Sequence, residues 1–186
     1  MKFKKAKQLF DEYNTKWVYH HVYDHGMRVM KNSMKICEEL GIKDTNATYI
    51  QLAARYHDIG KIKYPEKMWE QDKVFTKKEI KIFMNHVKYS YDILKSFYGD
   101  RDEDIATLVL YHHEKINGSG YLKGLKGEEI PLGSRIITVC DSYDAMFRHY
   151  CRKTEEQAVQ ELKAGKGKHF DEKIVDVFLK IINNKV

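Results

Sequence analysis

The sequence predicts an all-α chain. Three observations carry this expectation: two prolines in 186 residues, few runs of β-branched residues, and apolar positions recurring at helical spacing between start and stop signals. A first helix is expected over residues 4–13. A long one follows over 17–40, with Val22, Val29, Ile36 and Leu40 on one face and Gly41 as its stop. The next starts after Thr45 and runs through Ile50, Leu52, Ala53 and Ala54 to His57-Asp58, with Gly60 expected to end it and Pro65 marking the break. Thr76-Lys77-Lys78-Glu79 reads as a capping box opening a helix that carries His86 to about Phe97. Another helix, from about Asp102, delivers His112-His113 at its C-terminal end. Residues 117–133 then form a loop with five glycines. Ser134 is expected to cap a helix bearing Asp141 and Asp144, one turn apart on the same face. Thr154 opens the next through a Thr-Glu-Glu-Gln box, Gly165 closes it, and Asp171 caps the last helix, to about Ile182.

With no repeat, low-complexity segment or dividing linker, the expectation is one domain over 1–186, its core at about 20–182 behind a helical extension over 1–19. Charged residues make up 32% and hydrophobic ones 42%, which excludes a disordered chain. No apolar stretch approaches the about 18–20 residues of a membrane span. The basic N-terminus lacks the apolar region of a secretory signal. Cys37, Cys140 and Cys151 are an odd set without zinc-like spacing, which fits reduced thiols in a cytoplasmic protein. The net charge of +6 leans toward an anionic partner. Because Asp and Glu interleave the lysines and no nucleic-acid-binding motif is present, a small anionic molecule fits better than a nucleic-acid polymer or a membrane.

Seven residues carry the chemistry: His25, His57, Asp58, His86, His112, His113 and Asp141. Imidazole and carboxylate without thiolate suit divalent Fe or Mn better than structural zinc. Seven such groups exceed one tetrahedral site, so at least two metals are expected, an arrangement that commonly hydrolyses phosphate esters.

The strings His57-Asp58-Ile59-Gly60-Lys61 and His112-His113-Glu114-Lys115-Ile116-Asn117-Gly118-Ser119-Gly120-Tyr121 resemble the HD-GYP family, a branch of the HD metal-dependent phosphohydrolases. The resemblance continues through residues 124–132, Arg135-Ile136-Ile137, Asp141-Ser142-Tyr143-Asp144-Ala145-Met146 and Phe170-Asp171, and covers about residues 20–180. It implies an HD-domain helical bundle whose Gly-rich loop joins the HH-bearing and Asp-bearing helices. It also implies that the seven residues hold two metals, with Asp58 bridging. His21 stands four residues before His25, where family members with three metals carry Glu, and is a candidate ligand for a third ion. By the same resemblance Lys61 holds a phosphate oxygen. Asp144 orients the attacking water or a ligand, and Glu114 is either a supporting residue or a solvated one. Arg148, Gly118, Gly120 and Tyr121 contact substrate.

The implied activity is a cyclic di-GMP phosphodiesterase yielding pGpG, and GMP if hydrolysis continues, through hydroxide formed from a water shared by two cations. The alternatives are a related phosphohydrolase with another nucleotide or phosphoester substrate and a non-catalytic cyclic dinucleotide receptor. The chain departs from the family pattern in two places. Leu122 stands where the motif has proline, which frees the loop backbone and bears on a protein partner docking there. The segment after Met146 is two residues shorter, which shortens the expected reach of Arg148.

Overall fold

The computed structural model describes residues 19–65, 68, 75–99, 103–149 and 153–184. The expected helix over 4–13 lies outside them. The described residues form helices α1 (His25–Glu39), α2 (Asp44–Tyr56), α3 (Lys77–Phe83), α4 (His86–Tyr98), α5 (Glu103–Leu110), α6 (Leu132–Asp144), α7 (Glu155–Ala164) and α8 (Glu172–Asn183), and no extended strand. Helix α1 packs against α2, α6 and α8, while α4 packs against α5.

The same periodicity that builds the core places the chemistry. In α1 the buried stripe runs His25, Val29, Ser33, Ile36; in α4 it runs His86, Val87, Ser90, Leu94, Tyr98. Each helix therefore hides its histidine simply by continuing its core-facing row to its N-terminal end. Helix α6 does this at its C-terminal end, burying Ile137, Asp141 and Asp144 together.

Four local expectations are corrected. The long helix over 17–40 is not uniformly α-helical: residues Tyr19–Asp24 form a π-helical segment, and the α-helix starts at His25. The Thr76 capping box is present with both reciprocal bonds, but it opens α3 only. A turn at Met84-Asn85 separates α3 from α4, so His86 begins a new helix. Gly60 does not end α2, which stops at Tyr56; it sits inside a 3₁₀ turn, Ile59–Lys63. There a Cβ would lie 2.2 Å from the His86 carbonyl oxygen and 2.5 Å from the Ser90 nitrogen. Only glycine lets this turn touch the α4 backbone. Ser134 does not cap α6, because Pro131 precedes the first helical residue; the buried Ser134 hydroxyl donates to Leu108 O at 2.7 Å and ties α6 to α5.

The remaining boundary signals behave as expected. Thr154 caps α7 with a complete box, Gly165 follows it, and Asp171 caps α8 by accepting from Ile174 N at 3.2 Å. The other Asp171 oxygen accepts from Arg135 at 2.6 Å, joining the start of α8 to α6. Cys37 and Cys140 are free and buried, and burial pushes their thiols up to about 11 and about 12.

Candidate metal centre

The ligand residues come from separate elements and converge. His25 opens α1, His57-Asp58 follow α2, His86 opens α4, His112-His113 follow α5 and Asp141 lies in the last turn of α6. Neighbouring imidazole centroids lie 4.1 Å (His112–His113), 5.0 Å (His25–His57), 5.1 Å (His57–His112; His86–His113) and 5.6 Å (His86–His112) apart.

The hydrogen bonds set the direction of the lone pairs. Nδ1 of His57 donates to Ala54 O at 2.8 Å, that of His86 to Phe83 O at 2.8 Å, and that of His112 to Val109 O at 2.5 Å. In each neutral ring the proton then resides on Nδ1 and Nε2 offers its lone pair. Those three Nε2 atoms, and Oδ1 of Asp58, are buried without a hydrogen-bond partner. Orphaned buried acceptors are costly. Four such atoms aimed into one space fit a divalent cation, whose binding would displace the second proton that His57 carries without it.

Asp58 stands between two groups of ligands. Its Oδ1 lies 3.4 Å from His86 Nε2; its Oδ2 lies 3.4 Å from His57 Nε2 and 3.7 Å from His25 Nε2. His86, His112 and His113 form one clustered triad, and His25, His57 and Asp58 another, with Asp141 Oδ1 at 2.9 Å from His25 Nε2 and 3.6 Å from His57 Nε2. The buried Lys61 ammonium donates to Asp58 Oδ2 at 2.5 Å.

These surroundings set the charges. Burial opposes ionisation of Asp58, but the charges of Lys61 and His57 outweigh it and hold the carboxyl well below its ordinary range. Burial likewise opposes ionisation of Asp141, whose bonds to His25 and His57 prevail and hold it low. Burial and neighbouring imidazoles push His112 well below its usual value; burial brings His86 down to about 3 and lowers His113. His57 is the opposite case: burial pulls it down, yet Asp58 and Asp141 raise it to about 10. Without a cation, one part of the cluster is neutral and ready to coordinate, and the other borrows protons to balance its carboxylates.

Asp144 does not face the cluster directly. One oxygen accepts from His25 Nδ1 at 2.7 Å, and both accept from Arg28, at 2.7 and 2.9 Å. Asp144 thus braces the His25 ring through its Nδ1. Arg28 was not singled out as a site residue, although its spacing of three from His25 places it one turn further along α1.

The Gly-rich loop is anchored from beneath. Glu114, expected to be either supporting or solvated, is buried: Oε1 accepts from Lys123 N at 2.6 Å and Gly124 N at 3.2 Å. A Cβ at Gly120 would come 2.2 Å from Glu114 Oε2, so this position needs glycine. Gly118 has a φ of +80° beside the Lys126 side chain. Tyr121 lies 5.4 Å, ring to ring, from His113. The side chains of His21 and Arg148 lie outside the described residues.

A family model described as "HD domain" matches residues 8–174. A cyclic di-GMP phosphodiesterase from Thermotoga maritima is 38% identical over 160 residues, covering 84% of this chain and 44% of that protein. A 3'3'-cGAMP-specific phosphodiesterase from Vibrio cholerae is 32% identical over 158 residues, covering 83% and 30%. The chain thus spans less than half the length of these curated relatives. Among solved structures, an HDG"Y"P protein from Bdellovibrio bacteriovorus superposes with a TM-score of 0.74 at 17% identity, covering 97% of this chain and 58% of that one. Its fold is the one described above. The chain belongs to the HD domain family.

Proposed function

We propose that this chain is a metal-dependent phosphodiesterase that opens cyclic di-GMP to linear pGpG, the reading its relatives' names favour. Asp58 carries it: a buried carboxylate with one oxygen toward each group of imidazoles is what a two-cation site needs. His25, His57, Asp58 and Asp141 would hold one divalent ion, and His86, His112, His113 and Asp58 a second. Iron or manganese matches this N/O donor set. When bound, the ions supply an acidified water and positive charge opposite the phosphoryl oxygens.

The residues themselves contribute orientation and charge. Nδ1–H bonds to backbone carbonyls fix the tautomers of His57, His86 and His112, and Asp144 with Arg28 fixes His25. Lys61 is the mobile positive charge: an ammonium on a flexible stem can turn from Asp58 to a phosphoryl oxygen. Overall, water adds to phosphorus, one bond from phosphorus to ribose oxygen breaks, and that oxygen leaves protonated.

The test is product analysis with iron- or manganese-loaded protein on cyclic di-GMP, 3'3'-cGAMP and a simple phosphomonoester. The proposal expects pGpG from cyclic di-GMP. Hydrolysis of the monoester with neither cyclic dinucleotide opened would overturn it, as would tight dinucleotide binding without turnover.

A further inference from the structure

The ligand cluster explains the buried polar residues but not the rings beside it. Five large apolar side chains stand exposed among the described residues: Ile80, Ile82, Tyr89, Tyr121 and Leu132. Ile80 and Ile82 lie on α3, which ends at Phe83; Tyr89 is three residues beyond His86; Tyr121 packs on His113. All five thus sit on elements that deliver or cover metal-ligand candidates, but Leu132 stands at the opposite end of α6 from Asp141.

The rings form a continuous series leading out from the cluster. Phe83 lies 5.1 Å from the His86 ring, Tyr64 stacks on Phe83 at 6.1 Å with 22° between planes, and Tyr89 lies 5.8 Å from Tyr64. The Tyr64 hydroxyl donates to Ile82 O at 2.7 Å, which fixes the ring from its polar end. The Lys61 ammonium lies 5.1 Å from the centre of the Phe83 ring. The series therefore begins at the one buried lysine of the site and ends at the half-exposed rings of Tyr64 and Tyr89. Hydrolysis at the cluster requires none of these rings, and water disfavours exposing them.

We infer that Tyr64 and Tyr89, whose planes meet at 59°, form a tilted shelf on which one nucleobase of the substrate stacks on one ring and meets the other at its edge, while its phosphate lies at Lys61. This rests on the proposed cyclic dinucleotide reading and deepens it. Every base has a π-face, so stacking on these rings binds purines without choosing sharply between guanine and adenine. A dinucleotide is preferred to a protein as the occupant because the rings continue directly from the phosphate-pairing lysine.

Steady-state kinetics on cyclic di-GMP, with metal content measured for each chain, test the inference in Tyr89→Ala, Tyr64→Leu and Tyr64→Phe. Loss of a stacking ring should raise KM on the order of tenfold in Tyr89→Ala and Tyr64→Leu, with bound metal unchanged. Tyr64→Phe keeps the ring and should restore a KM near wild type. An unchanged KM in Tyr89→Ala and Tyr64→Leu overturns the shelf while leaving the phosphodiesterase reading intact. If KM is unchanged but Tyr89→Ala alters self-association in sedimentation, the patch belongs to a protein contact and the inference fails. Wild-type protein that turns over no cyclic dinucleotide sinks the parent reading, and the shelf with it.

Discussion

Asp58 and Lys61 are three residues apart and joined by a 2.5 Å contact, yet they belong to different parts of the chemistry. In the proposed reading Asp58 joins the two groups of ligands and Lys61 neutralises the site from one side. Asp58→Ala should release metal and lower turnover at least about a thousandfold, a scale consistent with loss of the metal's catalytic contribution. Lys61→Ala should lower kcat by about a hundredfold, the scale of losing one fixed counter-charge, with metal content unchanged. Metal analysis beside kinetics separates the two variants; metal loss in Lys61→Ala would contradict the division. Both residues were legible in the sequence because His57-Asp58 and Lys61 form a recognisable local string. Arg28 was harder to find, since its partner Asp144 is 116 residues away and neither neighbourhood names the other.

Helix ends do most of the positioning at the next scale. His57, His86 and His112 all direct Nδ1 at the carbonyl three residues earlier, which in each case belongs to the C-terminal turn of a helix (α2, α3 and α5), where carbonyls lack i+4 partners within the helix. Capping signals at Thr76, Thr154 and Asp171 were readable because each is a local side-chain-to-backbone bond. Gly60 and Ser134 were misread because their roles are tertiary: one lets the 3₁₀ turn touch α4, the other bonds α5. Gly60→Ala should therefore cost about 1–3 kcal/mol in urea unfolding, as overpacking does in a tight core, and should weaken metal binding by pushing Lys61 and His86 apart. A loss under about 0.5 kcal/mol would show that the turn yields easily.

Across the whole molecule, assembling these imidazoles makes the metal-free chain sensitive to pH on both sides. His86, held at about 3 by burial, stays neutral when folded while its unfolded counterpart takes a proton below about 6.5. Its stabilising contribution is present above 6.5 and is lost as pH falls toward 3, by up to about 1.4 kcal/mol per pH unit. His112 and His113 share this sign. His25 and His57 have the opposite one: their contribution is present below 6.5 and is lost as pH rises, for His57 through about 10. Chemical denaturation of the metal-free chain should show a stability maximum near neutrality. His86→Gln should flatten its acid limb, and an unchanged acid slope would contradict the assignment. That all-α fold and the seven ligand candidates were visible in the sequence, since helical periodicity and residue type are local. The separation into two groups about Asp58 was not, because it depends on how α1, α4, α5 and α6 meet.

The most direct test of the central claim is anaerobic titration of the metal-free chain with Fe(II) or Mn(II), followed to saturation by elemental analysis after desalting. The account predicts two retained ions per chain in wild type and a substantial loss in Asp58→Ala. A wild-type chain that retains no ion would contradict it.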